Sequence, residues 1–287
     1  MAGSRGSRLL VLAALVCAGA AQATPTTTVW APSTTAIQPY LTPHLTYDTY
    51  FWNKGSAGST SSPIYPVTTG LTMGVLPFED VQLEVGFDLL LPASDPLLLN
   101  AKLSIPEDKL LSWAPSFAVG IAGVGTASVT RYDMLYGQVQ HSLPFGGFIS
   151  GGAYYALNDT NFHSSTGEVN RAGFIGGIGS PDVNLNLPWL QKITVAADVQ
   201  TGNNAFGAAG GAVSFYFTDK ISVLTGPIYF FDPGSQPGGR QWFWTMQLDI
   251  DMPLLSPPAA APAPAPAATG ASTSNDPPPA SAAPSKQ

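Results

Sequence analysis

The chain has 287 residues, a formal net charge of −7 and only 10% charged residues. An acidic chain argues against nucleic acid as a partner, because phosphate binding needs a basic surface. A soluble domain usually carries roughly 25% charged residues, and low charge without long internal apolar runs is typical of a membrane β-barrel.

The first 23 residues have the three parts of a secretory signal peptide. These parts are a basic region with Arg5 and Arg8, an apolar run over residues 9–20, and the cleavage sequence Ala21-Gln22-Ala23. A spanning helix would need roughly 20 apolar residues, which is more than this run offers. The sequence therefore predicts export and cleavage before Thr24. Cleavage would remove Cys17, the only cysteine, so no disulfide is expected.

Residues 24–43 are predicted to be a periplasmic segment, and residues 44–252 show the period-two alternation of strands. The clearest stretch, 81–89, alternates five apolar residues with Gln82, Glu84, Gly86 and Asp88. About twelve strands are predicted, over residues 44–52, 64–75, 81–91, 97–105, 115–124, 130–142, 146–157, 170–178, 191–201, 206–217, 220–231 and 241–252. The pattern breaks near Gly137, which predicts a bulge or a register change.

The connections between these strands fit an outer-membrane barrel, which has short periplasmic turns and longer outer loops. With the link over residues 53–63 placed outside, the long polar links 158–168 and 232–240 also lie outside. Two links on the other side, 106–115 and 181–191, are longer than expected. They contain Trp and Leu and are predicted to lie along the membrane interface.

Aromatic residues cluster near the predicted strand ends, where their rings suit the headgroup layer. The predicted girdle residues are Tyr47, Tyr50, Phe51, Trp52, Tyr154, Tyr155, Phe215, Tyr216, Phe217, Tyr229, Phe230, Phe231, Trp242 and Trp244. Together these features predict an all-β fold: a transmembrane antiparallel up-and-down β-barrel in a bacterial outer membrane.

Residues 253–287 are predicted to be a disordered tail, because from Ser256 onward the chain is almost entirely Pro, Ala, Ser, Thr and Gly. Such a segment cannot bury enough apolar area to offset its ordering entropy. Two roles stay open for it. It is either inert, or a spacer that contacts the periplasm or the cell wall.

Several strand motifs within residues 115–252 resemble the outer-membrane β-barrels of Gram-negative bacteria. They are Ala118-Val119-Gly120-Ile121, Gly151-Gly152-Ala153-Tyr154-Tyr155, Asp198-Val199-Gln200-Thr201-Gly202-Asn203-Asn204 and Met246-Gln247-Leu248-Asp249-Ile250-Asp251. The resemblance implies the barrel fold, the outer membrane, and a porin-like role in a group mostly without assigned activity. It also implies the barrel-assembly machinery as a partner. That machinery usually reads a terminal aromatic residue, whereas the last strand here ends at Met252.

Placing the apolar residues toward lipid turns the charged strand residues inward, because a charge facing lipid costs several kcal/mol. The residues assigned to the lumen are Glu84, Asp88, Lys102, Asp198, Asp249 and Asp251. Two interpretations stay open. The acids either favour cations in a pore, or they pair with Lys102 or Arg131 or form hydrogen bonds across a plugged lumen.

Catalytic, metal and cofactor sites are not expected. The chain has three histidines, His44, His141 and His163, and no close His/Asp/Glu cluster. The leading hypothesis is a porin-like channel for small polar solutes or cations. The alternatives are a non-conducting structural or adhesive barrel that acts through its loops or tail, and, with less support, a membrane-embedded enzyme.

Overall fold

A computed structural model of the chain describes residues 27–51, 67–125, 127 and 131–254. The predicted signal peptide and the tail from residue 255 onward lie outside these residues, as does the predicted outer loop over 53–63. Within the described part of the chain, no helix is both long and apolar enough to cross a membrane.

The described residues form thirteen β-strands. They are β1 (His44–Phe51), β2 (Val67–Gly74), β3 (Gln82–Leu91), β4 (Leu97–Ile105), β5 (Ser116–Gly125), β6 (Met134–Ser142), β7 (Phe148–Ala156), β8 (Ala172–Gly179), β9 (Val183–Leu187), β10 (Leu190–Gln200), β11 (Ala208–Thr218), β12 (Ile221–Phe230) and β13 (Trp242–Asp251). Two short 3-10 turns, Pro233–Ser235 and Pro237–Gly239, lie between β12 and β13.

Twelve of the strands form a closed antiparallel ring, which confirms the predicted fold class. The ring closes where β1 pairs with β13, with His44 opposite Asp251 and Phe51 opposite Trp244. Closure gives each of these twelve strands a paired neighbour on both sides, which is how a barrel satisfies its backbone groups without water. The chain thus forms a closed, up-and-down antiparallel β-barrel.

The thirteenth strand, β9, does not occupy a position of its own in the ring. Strands β8 and β9 both pair with β10, β8 along residues 196–200 and β9 along residues 190–193. Strand β9 therefore continues the position of β8 toward one end of the barrel. It falls in the link 181–191, which the sequence predicted to be an interfacial segment.

Alternation along each strand sorts side chains between the outer surface and the interior, as a pleated strand requires. On β3, Val85 and Phe87 are exposed on the outside, while Glu84 is only 2% exposed. On β13, Trp244 and Met246 are exposed and Gln247 is buried. An apolar exterior around a polar interior is the arrangement that lipid demands.

The break predicted near Gly137 is wrong. Gly137 pairs in regular register with Val119 on one side and Ala153 on the other. It occupies an outward position between Leu135 and Val139. Because glycine has no side chain, the apolar alternation looked interrupted there although the register is regular. The register shifts lie at Leu99/Ala101, Leu190/Lys192 and Tyr216/Thr218 instead.

The predicted aromatic girdle divides into two sets. The exposed members on the outer surface include Tyr47, Phe51, Tyr155, Phe217, Phe231, Trp242 and Trp244. Others lie inside the barrel: Tyr154, Tyr216 and Phe230 are buried, and Tyr50 packs against Trp30. Position near a strand end therefore did not decide which face an aromatic ring occupies; the strand parity did.

We call the two ends of the barrel the turn end and the loop end. The turn end carries the short links 75–81, 143–147 and 219–220, together with the link 106–115. The loop end carries the longer links 157–171 and 231–241. Exposed Trp113, Phe145 and Trp189 project at the turn end.

Candidate functional site

The interior of the barrel is occupied by residues 27–43, here called the lumen segment. It forms hydrogen bonds with inward side chains of β3, β4, β5, β6, β7, β10 and β13. A segment can reach strands all around a closed ring only from inside it. This corrects the prediction that residues 24–43 form a periplasmic segment, since the described part of that segment is packed within the lumen.

A single carboxylate holds the loop-end part of the lumen segment. Oδ2 of Asp198 accepts hydrogen bonds from the backbone N–H groups of Val29, Trp30 and Ala31, at 2.7, 2.8 and 2.8 Å. Hydrogen bonds to an ionised acceptor are roughly twice as strong as neutral ones. Three strands further around the ring, the side-chain amide of Gln247 on β13 donates to the Val29 carbonyl at 2.7 Å.

Closer to the turn end, the lumen segment is bound by inward hydroxyl and amide groups of the strands. The Thr35 hydroxyl lies 2.6 Å from the Ser116 hydroxyl, and the Gln138 amide donates to the Thr34 carbonyl at 2.6 Å. The Ser150 hydroxyl donates to the Ser33 carbonyl. Each bond satisfies a backbone or side-chain group that no strand pairing could reach, which is what allows an irregular segment to be buried.

Two of the residues assigned to the lumen, Glu84 and Lys102, face each other on adjacent strands β3 and β4. The Lys102 ammonium lies 3.9 Å from the Glu84 carboxylate and 3.5 Å from the carbonyl of Thr34, and both side chains are almost completely buried. Glu84 also accepts the Gln38 N–H at 2.8 Å. The two side chains thus bind the lumen segment at Thr34 and Gln38 and also pair with each other.

Asp249 and Asp251 lie at the turn end, on either side of His44. Nδ1 of His44 is 2.7 Å from Asp251, and Nε2 is 3.3 Å from Asp249. All three side chains are buried. His44 is the first residue of β1, so this cluster joins the start of the ring to its last strand at the point where the lumen segment ends.

The last residue assigned to the lumen, Asp88, faces inward and accepts a hydrogen bond from the Asn100 amide at 2.6 Å. The Asn100 side-chain oxygen in turn accepts a hydrogen bond from the N–H of Gly123 at 2.9 Å. The Asp88 carboxylate leans over Gly70 of β2, where a Cβ would meet it at only 2.0 Å. Because glycine at position 70 has no Cβ, the Asp88 carboxylate has room to lie next to the backbone of β2.

Above the lumen segment, toward the loop end, the barrel encloses a cavity of about 400 Å³. Its floor includes Val29 and Trp30 of the lumen segment together with Glu84 and Lys102. Its apolar wall residues are Tyr50, Leu90, Leu98, Ala101, Ala122, Tyr132, Met134, Tyr136 and Phe206. Residues of the loop-end links, among them Asn161 and Gln236, also line it.

The remaining histidines lie outside the interior. His141 forms a close ion pair with Glu107 at the turn end, and His163 contacts the Asp159 carbonyl at 3.0 Å in a loop-end link. Arg131, which was weighed as a partner for the lumen acids, instead lies 3.6 Å from Asp133. Across the described ranges, no group of three His, Cys, Asp or Glu side chains is arranged to hold a metal ion.

Sequence reasoning missed the occupant of the lumen and the role of His44, and it did not assign Asp48 to the lumen, although Asp48 lines the cavity. Residues 27–43 carry neither a strand nor a helix period, so pattern analysis had nothing to detect. One signal was present, however. Gln138, Gln200 and Gln247 all lie on the inward face of their strands and are buried. Amide side chains of this kind need hydrogen-bond partners in a lumen from which bulk water is excluded.

No protein-family model and no curated protein matches this sequence. Among solved structures, a mutant porin from Rh. blastica is similar, with 9% identity, 79% of this chain covered and a TM-score of 0.34. This chain spans 66% of that porin, slightly less than two thirds. An outer membrane channel from Pseudomonas putida F1 is also similar, with 10% identity, 82% of this chain and 98% of that chain covered, and a TM-score of 0.38. Both TM-scores lie below 0.5, and the function proposed below is therefore derived from this chain's own residues.

Proposed function

We propose that this chain is a porin-like channel of the bacterial outer membrane, exported through a cleaved signal peptide, and that its own lumen segment holds it shut. The apolar exterior of the twelve-stranded ring supports a position in lipid. The polar interior supports a pathway for polar solutes once the segment moves.

One observation carries this proposal: the lumen segment is bound to the wall mainly through side chains, not through a continuous strand ladder. Among the described residues, its backbone bonds to the backbone of the barrel only near its end. Leu41 donates to Gly74, and the carbonyls of Leu41 and Pro43 accept from Leu254 and Met252. The other contacts are individual hydrogen bonds such as those to Asp198 and Gln138. Bonds of this kind each contribute only about 0.5–3 kcal/mol, so the segment can leave while the ring stays closed.

The charge of the interior supports passage of small cations over anions. Six inward carboxylates belong to Asp48, Glu84, Asp88, Asp198, Asp249 and Asp251. Lys102 and His44 are the basic side chains that the interior contacts place beside them. Rings of acidic side chains select cations in channels. Removal of the segment would expose most of these carboxylates to the pathway.

The experiment is single-channel recording of the purified full chain in a planar bilayer, compared with a variant that lacks residues 27–38. The deletion is expected to convert rare or brief openings into long-lived, cation-selective steps. Asp198→Ala should act in the same direction but less completely, because three N–H groups lose their acceptor. Asp219→Ala removes an exposed turn carboxylate and is the matched control.

A second candidate function is a non-conducting barrel that acts through its loops or its tail. The dense packing of the lumen segment against most of the ring favours it. Under this alternative, both the full chain and the deletion variant would stay silent in the bilayer while folding normally by circular dichroism. That result would contradict the channel proposal.

A further inference from the structure

The cavity above the lumen segment has one feature that the closed channel does not explain. Asp48 of β1 lines it, with its carboxylate inside the barrel. No hydrogen bond to this side chain is formed by any described residue. The charges that act on it most are those of Asp249 and Asp88, which repel it, and His44, which attracts it. A carboxylate inside a barrel without a donor is costly unless something supplies one.

The other charged residues that line the cavity do not fill this need. They are Glu84 and Lys102, and the two are paired with each other at 3.9 Å. Lys102 is also directed to the Thr34 carbonyl. Among the described lining residues, Asp48 is therefore the acidic side chain for which the cavity supplies no basic partner.

The surroundings of Asp48 suit a cation that has an apolar body. Tyr50 lies two residues further along β1, so its side chain is on the same side of the strand as that of Asp48, and both line the cavity. The Trp30 ring packs edge-on against Tyr50, with 5.7 Å between ring centroids. Aromatic faces attract cations within about 6 Å of the ring centroid. The rest of the wall, including Leu98 and Phe206, offers apolar contact.

We propose that this cavity is a binding site for a small amphipathic amine. Its ammonium group would be held by Asp48 and the Tyr50 ring, and its apolar portion would lie against the aliphatic and aromatic wall. A cavity of about 400 Å³ accommodates a body of about one aromatic ring and a short chain. The site exists while the lumen segment is in place, since Val29 and Trp30 form part of its floor.

The test uses the full chain in lipid nanodiscs, with phenethylamine as the probe and isothermal titration calorimetry as the readout. Empty nanodiscs correct for partition of the probe into lipid. The expected result is saturable binding that Asp48→Asn weakens at least tenfold. 2-Phenylethanol has the same shape without the charge and is expected to bind at least tenfold more weakly than the amine.

Two further variants separate a specific site from a general effect of charge. Asp48→Glu keeps the carboxylate and is expected to retain binding within a few-fold. Asp219→Asn removes an exposed charge at the turn end and is expected to bind as the unaltered chain does. Equal binding by the Asp48→Asn variant, equal binding of 2-phenylethanol, or no saturable binding of phenethylamine would each overturn the proposal. None of these outcomes depends on whether the barrel conducts, so a silent channel would leave this test intact.

Discussion

The turn-end half of the lumen is filled with polar contacts, whereas the loop-end half encloses a largely apolar cavity. In the turn-end half, Thr35, Gln38 and His44 are each bonded to side chains of the wall. In the loop-end half, aromatic rings such as those of Tyr132 and Phe206 pack against one another at 4.8 Å between centroids. The same strands supply both halves, so the difference comes from which residues alternate inward along each one.

Under the two proposals, this difference separates two functions within a single interior. The polar half would fix the lumen segment and so control passage, while the apolar half would provide space for a ligand next to that segment. Because Val29 and Trp30 belong to the lumen segment and also line the cavity, a ligand in the cavity would contact the segment directly. Such a ligand would stabilise the closed state by its differential affinity for it.

The largest effect is expected at the boundary between the halves, where Glu84 and Lys102 pair. Lys102→Met should destabilise the barrel by about 3–5 kcal/mol, because it leaves the buried Glu84 carboxylate without its cation. Adding Glu84→Gln to the same chain should recover most of that loss. Urea unfolding in lipid vesicles measures both variants.

The control for this pair is an ion pair of the same type outside the lumen. Lys109 lies 3.0 Å from Asp80 at the turn end, and both are exposed. Lys109→Met should leave stability unchanged, because solvent screens exposed pairs. Equal losses for Lys102→Met and Lys109→Met would show that the boundary pair does not carry the lumen segment.

A smaller effect is expected where the lumen segment crosses β2. A Cβ at Gly74 would meet the Gln38 carbonyl oxygen at 2.1 Å and that of Pro39 at 2.7 Å. Gly74→Ala should therefore push the segment inward and cost about 1–3 kcal/mol. Gly151→Ala is the matched control, because nothing lies within 4 Å of a Cβ there. The same unfolding assay should find the control neutral or slightly stabilised, and a neutral Gly74→Ala would contradict the close packing of the segment.

Sequence alone predicted the wall well and the content of the lumen poorly. Alternation along β3 and β13 predicted which side chains face lipid, because a pleated strand has only two faces. The lumen segment gave no such signal, since Asp198 binds its backbone N–H groups, which every residue but proline provides. Strand β9 was missed because five residues are too few to show a period. The inward position of Tyr50 could be derived from the parity of β1, but its contact with Trp30 depends on the segment.

The smallest effect concerns the links that cover the cavity at the loop end. Asp232 accepts hydrogen bonds from the Ser165 N–H and hydroxyl and from the Ser235 hydroxyl, at 2.6–2.7 Å. Burial acts to raise the pKa of the Asp232 carboxyl, but these hydrogen bonds outweigh it and hold the pKa below its ordinary value. The unfolded link therefore binds the proton more readily than the folded one, and the contact loses stability as pH falls through the folded pKa.

Hydrogen exchange of the link over residues 160–168, corrected for the intrinsic rate at each pH, should consequently stay constant from about pH 8 to pH 5. Protection should decline below about pH 4, near the ordinary pKa of an aspartate. Asp232→Asn should remove this pH dependence and lower protection at neutral pH, because the uncharged amide is a weaker acceptor for the two serines. Unchanged protection at pH 3, or the same decline in the Asp232→Asn variant, would mean that another group holds the loop-end links over the cavity.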